Sequence, residues 1–431
     1  MLIFESDTTP LVEIARRVGS RLQLDSGPAQ AVREIVEDVK QGGDAALLQY
    51  TRRFDWPQAT VEGLRADAKE CQEAWQALEP PVREAVEVAI ANIRRYHERQ
   101  RPGDWWELGD AGCVLGQRFT PIRRVGVYAP GGLAAYLSSV LMAVVPAQVA
   151  GVPEIVLASP PGEDGRLSPA VAAAAGALGL TEVYKMGGAQ AVAALAYGTA
   201  TVAGVDKIVG PGNIYVTLAK AMVFGQVATD GLYGPSEVVV VADDTADPAL
   251  AASDLLSQAE HGADSVVCLI TTSREVLRQV EAQVLAQLRL LMRQTAAERS
   301  LHEFGSMVLV ADLAEAAELC SLLAPEHVVV MTAEPLSLLP SIRNAGCILL
   351  GRYSPVPIGD YLAGPSHILP TGGTARFSSG LGVSDFMKRS SVIYAGKEWL
   401  TRNAEHIVAL ARQEGFDGHA RAVEARFPKQ S

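Results

Sequence analysis

The chain has 431 residues, 48% hydrophobic and 20% charged, with 37 basic against 49 acidic side chains and a formal net charge of −12. With no long Lys/Arg cluster, that balance argues against nucleic acid or an anionic membrane as a partner. The length exceeds what one hydrophobic core serves, so two or more domains are expected.

The first stretch, MLIFESDTTPLVEIARR, lacks the basic start and apolar run of a secretory signal. Residues 1–25 are expected as an N-terminal helical segment, and the helical period continues to about residue 100. Its clearest case is PPVREAVEVAIANIRRYHERQ, where Pro81 suits a first turn and Val82, Val86, Ala89, Ile93 and Tyr96 form one stripe. From about 120 the pattern changes to short β-branched runs alternating with Ala/Leu-rich helices. The runs are RVGVYAP, EIVLASPP, EVYKMGG, DKIVGPG, SEVVVVADD, SVVCLITTS, SMVLVAD, HVVVMT and CILLGRY. Continuous apolar strands between helices are buried on both faces, as in a doubly wound parallel sheet.

Nine such strands divide into two sheets, with a break near ATDGLYGPSE. The expected fold is α/β, with two Rossmann-like doubly wound domains. The first is discontinuous, 26–127 plus 237–381, and the second is 128–236. Residues 382–431 form a polar, helical C-terminal segment. The most apolar region, SSVLMAVVPAQVAGVPEIVLASPP, is broken by Pro146, Gln148, Pro153 and Glu154 and does not span a bilayer. The five cysteines are scattered with no CxxC, which argues against a disulfide framework or a thiolate zinc site. A cytoplasmic protein is expected.

Two glycine-containing turns, YAPGGLAAY (128–136) and VGPGNIYVTLAK (209–220), follow strands and open helices. Backbone N–H groups there can receive an anion, although tight turns also use glycine for conformation alone. In SDLLSQAEHGADS, Gln258 and His261 lie three apart, on one helix face just before Gly262. Taken alone, they are better explained by a surface helix ending in a dipole-friendly His and a Gly cap. His327 follows Glu326 at the mouth of an apolar strand, a carboxylate–imidazole pair suited to acid/base work. His367 lies seven residues after Asp360 in a Gly/Pro-rich loop, and His419 lies five after Glu414. Asp and His from separate loops, added to the helix pair, would make a nitrogen and oxygen metal site. Each piece taken singly is better explained structurally, as a cap, a strand-end polar residue, a turn Asp or a surface His. His97, His302 and His406 sit among charges on helices and are expected at the solvent.

Taken together, RRVGVYAPGG, MGGAQAVAALAYGT, VDKIVGPGN, GPSEVVVVAD, ASDLLSQAEHG, LAPEH, GDYLAGPSHILPT and EGFDGH span nearly the whole chain. In these segments the chain resembles the histidinol dehydrogenase family. The resemblance implies that Gln258, His261, Asp360 and His419 bind one Zn²⁺. It implies that Ser236, His327, His367 and Glu414 contact substrate, with the four zinc ligands beside it, and that Tyr128, Gln190 and Asn213 contact NAD. The implied reaction is a four-electron oxidation of the amino alcohol L-histidinol to L-histidine through L-histidinal, the last steps of histidine biosynthesis. His327 would take protons in both steps and Glu326 would activate the hydrating water. The resemblance also implies a homodimer with shared sites, in which the C-terminal segment carrying Glu414 and His419 serves the neighbour.

Two places depart from the family pattern: Gly231, Leu232 and Tyr233 stand where Met-Pro-Ala is usual, and Ser366 stands for Asn. They leave room for a paralogous zinc-dependent NAD dehydrogenase of another polar alcohol. Two readings from other classes are a thiol-based aldehyde oxidation through Cys113 and a non-catalytic metal-binding homologue.

Overall fold

The structure, a computed structural model, describes residues 1–19, 27–131 and 136–427. In chain order its strands are β1 (Leu2–Glu5), β2 (Trp105–Leu108), β3 (Val114–Pro121), β4 (Arg124–Tyr128), β5 (Glu154–Ser159), β6 (Val183–Lys185) and β7 (Lys207–Val209). There follow β8 (Ala228–Thr229), β9 (Glu237–Ala242), β10 (Val266–Thr271), β11 (Gly305–Leu309), β12 (His327–Met331), β13 (Cys347–Leu350) and β14 (Met387–Tyr394). The chain divides into a larger unit, Met1–Gln100 with Ile122–Phe386, and a smaller one, Arg101–Pro121 with Met387–Ser431.

The larger unit holds two sheets. One has five strands in the order β6-β5-β4-β7-β8 and the other six in the order β1-β11-β10-β9-β12-β13. Every pairing in both is parallel. All nine apolar runs are strands of these sheets, and the α/β, doubly wound expectation holds. The reason is visible along β9. Val238 and Val240 pack with Leu255 and Val280 on one side, while Val239 and Val241 pack with Leu319 and Leu323 on the other. A strand covered on both faces needs apolar residues at every position, which is what its valine run supplies.

Three expectations are corrected. The N-terminal segment is not helical throughout: Leu2–Glu5 is an edge strand paired with Ser306–Leu309. Four residues are too few to show a period, and the partner 300 residues away makes the strand. The polar tail is likewise not all helical. Met387–Tyr394 pairs antiparallel with β3, and β3 with β2, as the sheet of the smaller unit. Most residues of β14 are exposed, so no alternation marks it. Third, His97 is fully buried, its Nδ1 2.8 Å from the Ile93 carbonyl. The buried stripe of the helix Pro80–Glu98 is Val86, Ala89, Ile93 and His97, while Val82 and Tyr96 are exposed.

The helix Ala29–Phe54, placed by sequence with the first domain, packs through Val32, Ile35, Val39 and Leu47 into the core of the five-stranded sheet. Strand β4, cut by the sequence boundary at 127, lies wholly in that sheet. No described helix is long and apolar enough to cross a membrane.

Candidate active site

A cavity of about 330 Å³ in the larger unit collects loops from both sheets. Pro130 and Pro211–Asn213 come from beyond the carboxyl ends of β4 and β7. Ser236, Glu326 and His327 come from the amino ends of β9 and β12. Gln258, His261, Asp360 and His367 complete the polar wall. Eight of the sequence-predicted residues, spread over more than 150 positions, thus line one space.

The helix Pro248–Ala259 is started by Pro248 and by Asp247, whose side chain accepts the Ala249 N–H. It buries Leu255, Leu256 and Ala259, and with them Gln258. His261 stands just past the helix end, its N–H donating to the Gln258 carbonyl at 3.1 Å. Gly262 is absent from the positive-φ glycines, and Glu260 keeps helical angles, so the glycine-cap explanation of this motif fails. Asp360 rides on the short helix Val356–Tyr361. The buried Asp254 carboxylate accepts the Val356 N–H at the start of that helix, and burial pushes its pKa up to about 6.

His327 is almost fully buried at the foot of β12. Its Nδ1 lies 3.4 Å from the Glu237 carbonyl, which can only accept, so Nδ1 carries the hydrogen and Nε2 is left as the basic atom. Nδ1 is also 3.6 Å from Glu326 Oε2, and Nε2 is 3.7 Å from Asp360 Oδ1. Burial works to lower the His327 pKa, but the Glu326 and Asp360 carboxylates outweigh it and hold the value above the ordinary one. His367 donates from Nδ1 to the Asp360 carbonyl at 2.8 Å, and its Nε2 is 3.0 Å from the Ser139 hydroxyl. Burial lowers its pKa despite the nearby Asp360. The Asp360 carbonyl can only accept, so Nδ1 carries a hydrogen in that contact.

Neither departure from the family pattern lines the cavity. The Ser366 hydroxyl turns away to the Met142 carbonyl at 3.1 Å. The Tyr233 hydroxyl donates to Asp230 at 2.8 Å, inside a cluster where Lys220 meets the other Asp230 oxygen at 2.5 Å. No cysteine lines the cavity, and Cys113 belongs to the smaller unit.

Of the residues expected at a dinucleotide, Asn213 lines the cavity while capping the helix Ile214–Val223, its side chain accepting the Tyr215 and Val216 N–H groups. Tyr128 and Gln190 are buried at the carboxyl edge of the same sheet. The Tyr128 hydroxyl accepts the Gly188 N–H at 3.1 Å, and the Gln190 amide donates to Asp55 at 3.0 Å. The turns after β4 and β7 touch: a Cβ on Gly210 (φ 111°) would stand 2.1 Å from the Tyr128 carbonyl oxygen. Only glycine permits that approach. Residues 132–135 of the first glycine turn lie outside the described residues.

A metal is tested by one atom. Gln258 Oε1 is buried and has no hydrogen-bond partner among the described residues. Beside it in the cavity wall stand the His261 imidazole and the Asp360 carboxylate, an oxygen and nitrogen donor set that suits a divalent cation. A buried oxygen without a partner among such groups fits a cation ligand. Among the described residues no cluster of three or more His, Cys, Asp and Glu forms a metal site by itself. His419 and Glu414 are in the smaller unit and exposed, with His419 edge-on to Phe416.

Sequence reasoning missed Glu237. It is 4% exposed at the start of β9 and bonded to the Glu326 backbone. A charged residue opening a valine run was the available signal.

Fold and site together define an α/β protein of two parallel sheets with a cavity lined by acid and imidazole side chains between them. A histidinol dehydrogenase family model matches residues 21–427. The chain is 52% identical over 412 residues to histidinol dehydrogenase of Bacillus licheniformis, covering 95% of this chain and 96% of that protein. It is 50% identical over 415 residues to the Bacillus subtilis protein of the same name, covering 96% and 97%. The crystal structure of histidinol dehydrogenase from Elizabethkingia anophelis superposes with a TM-score of 0.93 at 36% identity, covering 99% and 98%. The chain belongs to the histidinol dehydrogenase family.

Proposed function

We propose that this chain oxidises L-histidinol to L-histidine through L-histidinal, with two NAD⁺ and one zinc ion per site, in the cytoplasm. The observation that carries the reading is the single cavity in which Glu326 and His327 meet the orphaned Gln258 oxygen, His261 and Asp360. Gln258, His261, Asp360 and His419 would hold zinc. Tyr128, Gln190 and Asn213 would stand at the dinucleotide, supported by their place at the carboxyl edge of a parallel sheet. When bound, zinc supplies a template for the substrate's nitrogen atoms and NAD⁺ the hydride acceptor.

The chain's own residues handle the protons. His327 Nε2 takes the hydroxyl proton of the alcohol, and Nδ1–H on the Glu237 carbonyl holds the ring in that tautomer. The aldehyde must then be hydrated. Glu326 takes a proton from the attacking water while protonated His327 returns its proton to the aldehyde oxygen, so His327 is neutral again and takes the next proton from the gem-diol. Ser236, His367 and Glu414 contact substrate in this reading.

The active species is a homodimer with shared sites. In the smaller unit Trp106, Leu108, Ile393 and Leu410 are more than half exposed. So much surface apolar area fits a subunit contact. His419 and Glu414 would there complete the partner's cavity.

The test separates the half-reactions. Glu326→Gln should oxidise histidinal about 10²-fold or more slowly, yet reduce histidinal with NADH nearly as the parent does, because reduction needs no activated water. Equal losses in both directions would remove Glu326 from the water step.

A further inference from the structure

Glu237 opens β9 and Glu326 immediately precedes β12, its parallel neighbour, with His327 opposite Val238. The two glutamates meet across that seam, both more than nine-tenths buried. The Glu237 N–H donates to Glu326 Oε2 at 2.9 Å, and the Glu326 N–H donates to Glu237 Oε2 at 3.2 Å. The Gly372 N–H donates to the other Glu237 oxygen at 3.1 Å. Two buried carboxylates side by side repel, and each must be held by donors if both are to stay. Here each glutamate's backbone holds the other's side chain.

We propose that Glu237 is a positioning residue for Glu326. Its side chain fixes the backbone at 326, and its backbone N–H fixes the direction of the Glu326 carboxylate. Gln258 Nε2 reaches the same Oε2 at 3.4 Å, so Oε2 is committed and Oε1 is the oxygen left to receive a proton from water. This inference rests on the reading that Glu326 activates the hydrating water.

Glu237→Gln keeps the volume but turns an amide NH₂ onto the N–H of Glu326 or of Gly372, which opens the clasp. Histidinal oxidation should fall roughly tenfold or more while reduction of histidinal by NADH stays within about threefold of the parent. In a Glu326→Gln background the same change should alter histidinal oxidation by less than about threefold, because the route through Glu326 is already gone. Equal losses in both directions, or losses that multiply in the double variant, overturn the proposal. Glu237→Asp, a methylene shorter with the charge retained, is expected to show the same split and decides the matter if the first variant does not fold. A parent chain that fails to turn over histidinol would sink the functional reading alone. The clasp is then judged by a crystal structure of the Glu237→Gln chain. A Glu326 carboxylate displaced from the residue-237 N–H supports it, and one still seated there overturns it.

Discussion

Gln258, in the last turn of the helix Pro248–Ala259, and His261, just past its end, play different parts. Gln258 is buried with its oxygen orphaned, and His261 is exposed just beyond the last turn. Replacing His261 with Asn should therefore leave the fold intact, since the imidazole packs into no core. The same change should strip the metal, because the amide is a poorer ligand than imidazole for zinc. Metal analysis after gel filtration, with a thermal melt beside it, checks both halves. Stoichiometric zinc and full turnover in that variant would remove His261 from the ligand set. Residues of this kind were legible in the sequence because they are out of place there: a His behind a Glu at a strand mouth, or a Gln and His at a helix end. Glu237 and Asp254 were not legible. Their meaning lies in which distant N–H each accepts, Gly372 for one and Val356 for the other, and no local pattern records that.

The helix Pro248–Ala259 and the short helix Val356–Tyr361 each bring part of the cavity wall, and Asp254 ties one to the other. Its pKa, raised by burial from the usual carboxylate range to about 6, has a signed consequence. The folded chain binds this proton more tightly than the unfolded chain. The stability it gives is whole below the unfolded pKa of 3.8 and is lost as pH rises through about 6. At pH 8 the ionised, buried group weakens the fold by on the order of 3 kcal/mol. Asp254→Asn, which keeps an acceptor for Val356, should melt higher than the parent at pH 8. That margin should shrink below pH 6 and vanish near pH 4 (order of magnitude from the linkage slope). A margin independent of pH would show that the carboxylate is not the source. At this scale the parallel strands were the easiest elements to read, since burial on both faces writes itself as unbroken valine and isoleucine. Strands β2, β3 and β14 leave much of their length at the surface and carry no such mark. The amino ends of β9 and β12 also explain the acids at the site. The first N–H groups of a parallel sheet lack ladder partners, and the Glu237 and Glu326 carboxylates take them.

The molecule as a whole is a larger unit with the cavity and a smaller one with Glu414 and His419. The proposed sharing of sites can be tested in a way that no single chain can pass or fail. His327→Asn and His419→Asn chains, each inactive alone, should regain up to about a quarter of parental turnover when mixed and allowed to exchange subunits. No recovery after verified exchange would count against sharing. How the sequence's two domains divide was harder to see than that there are two sheets, because the helix Ala29–Phe54 crosses to the far sheet through packing alone. The pairing of β1 with β11 has a different kind of consequence, one in time. Among the described residues, strand β1 has β11 as its one neighbour. On the ribosome Leu2–Glu5 is made long before its partner, and it waits without a ladder until residues 306–309 emerge. The five-stranded sheet, complete by Thr229, can close long before. Synthesis therefore lets the five-stranded sheet form first and leaves Leu2–Glu5 to seal the other sheet's edge late, when the chain that carries Glu326 and His327 is about to appear.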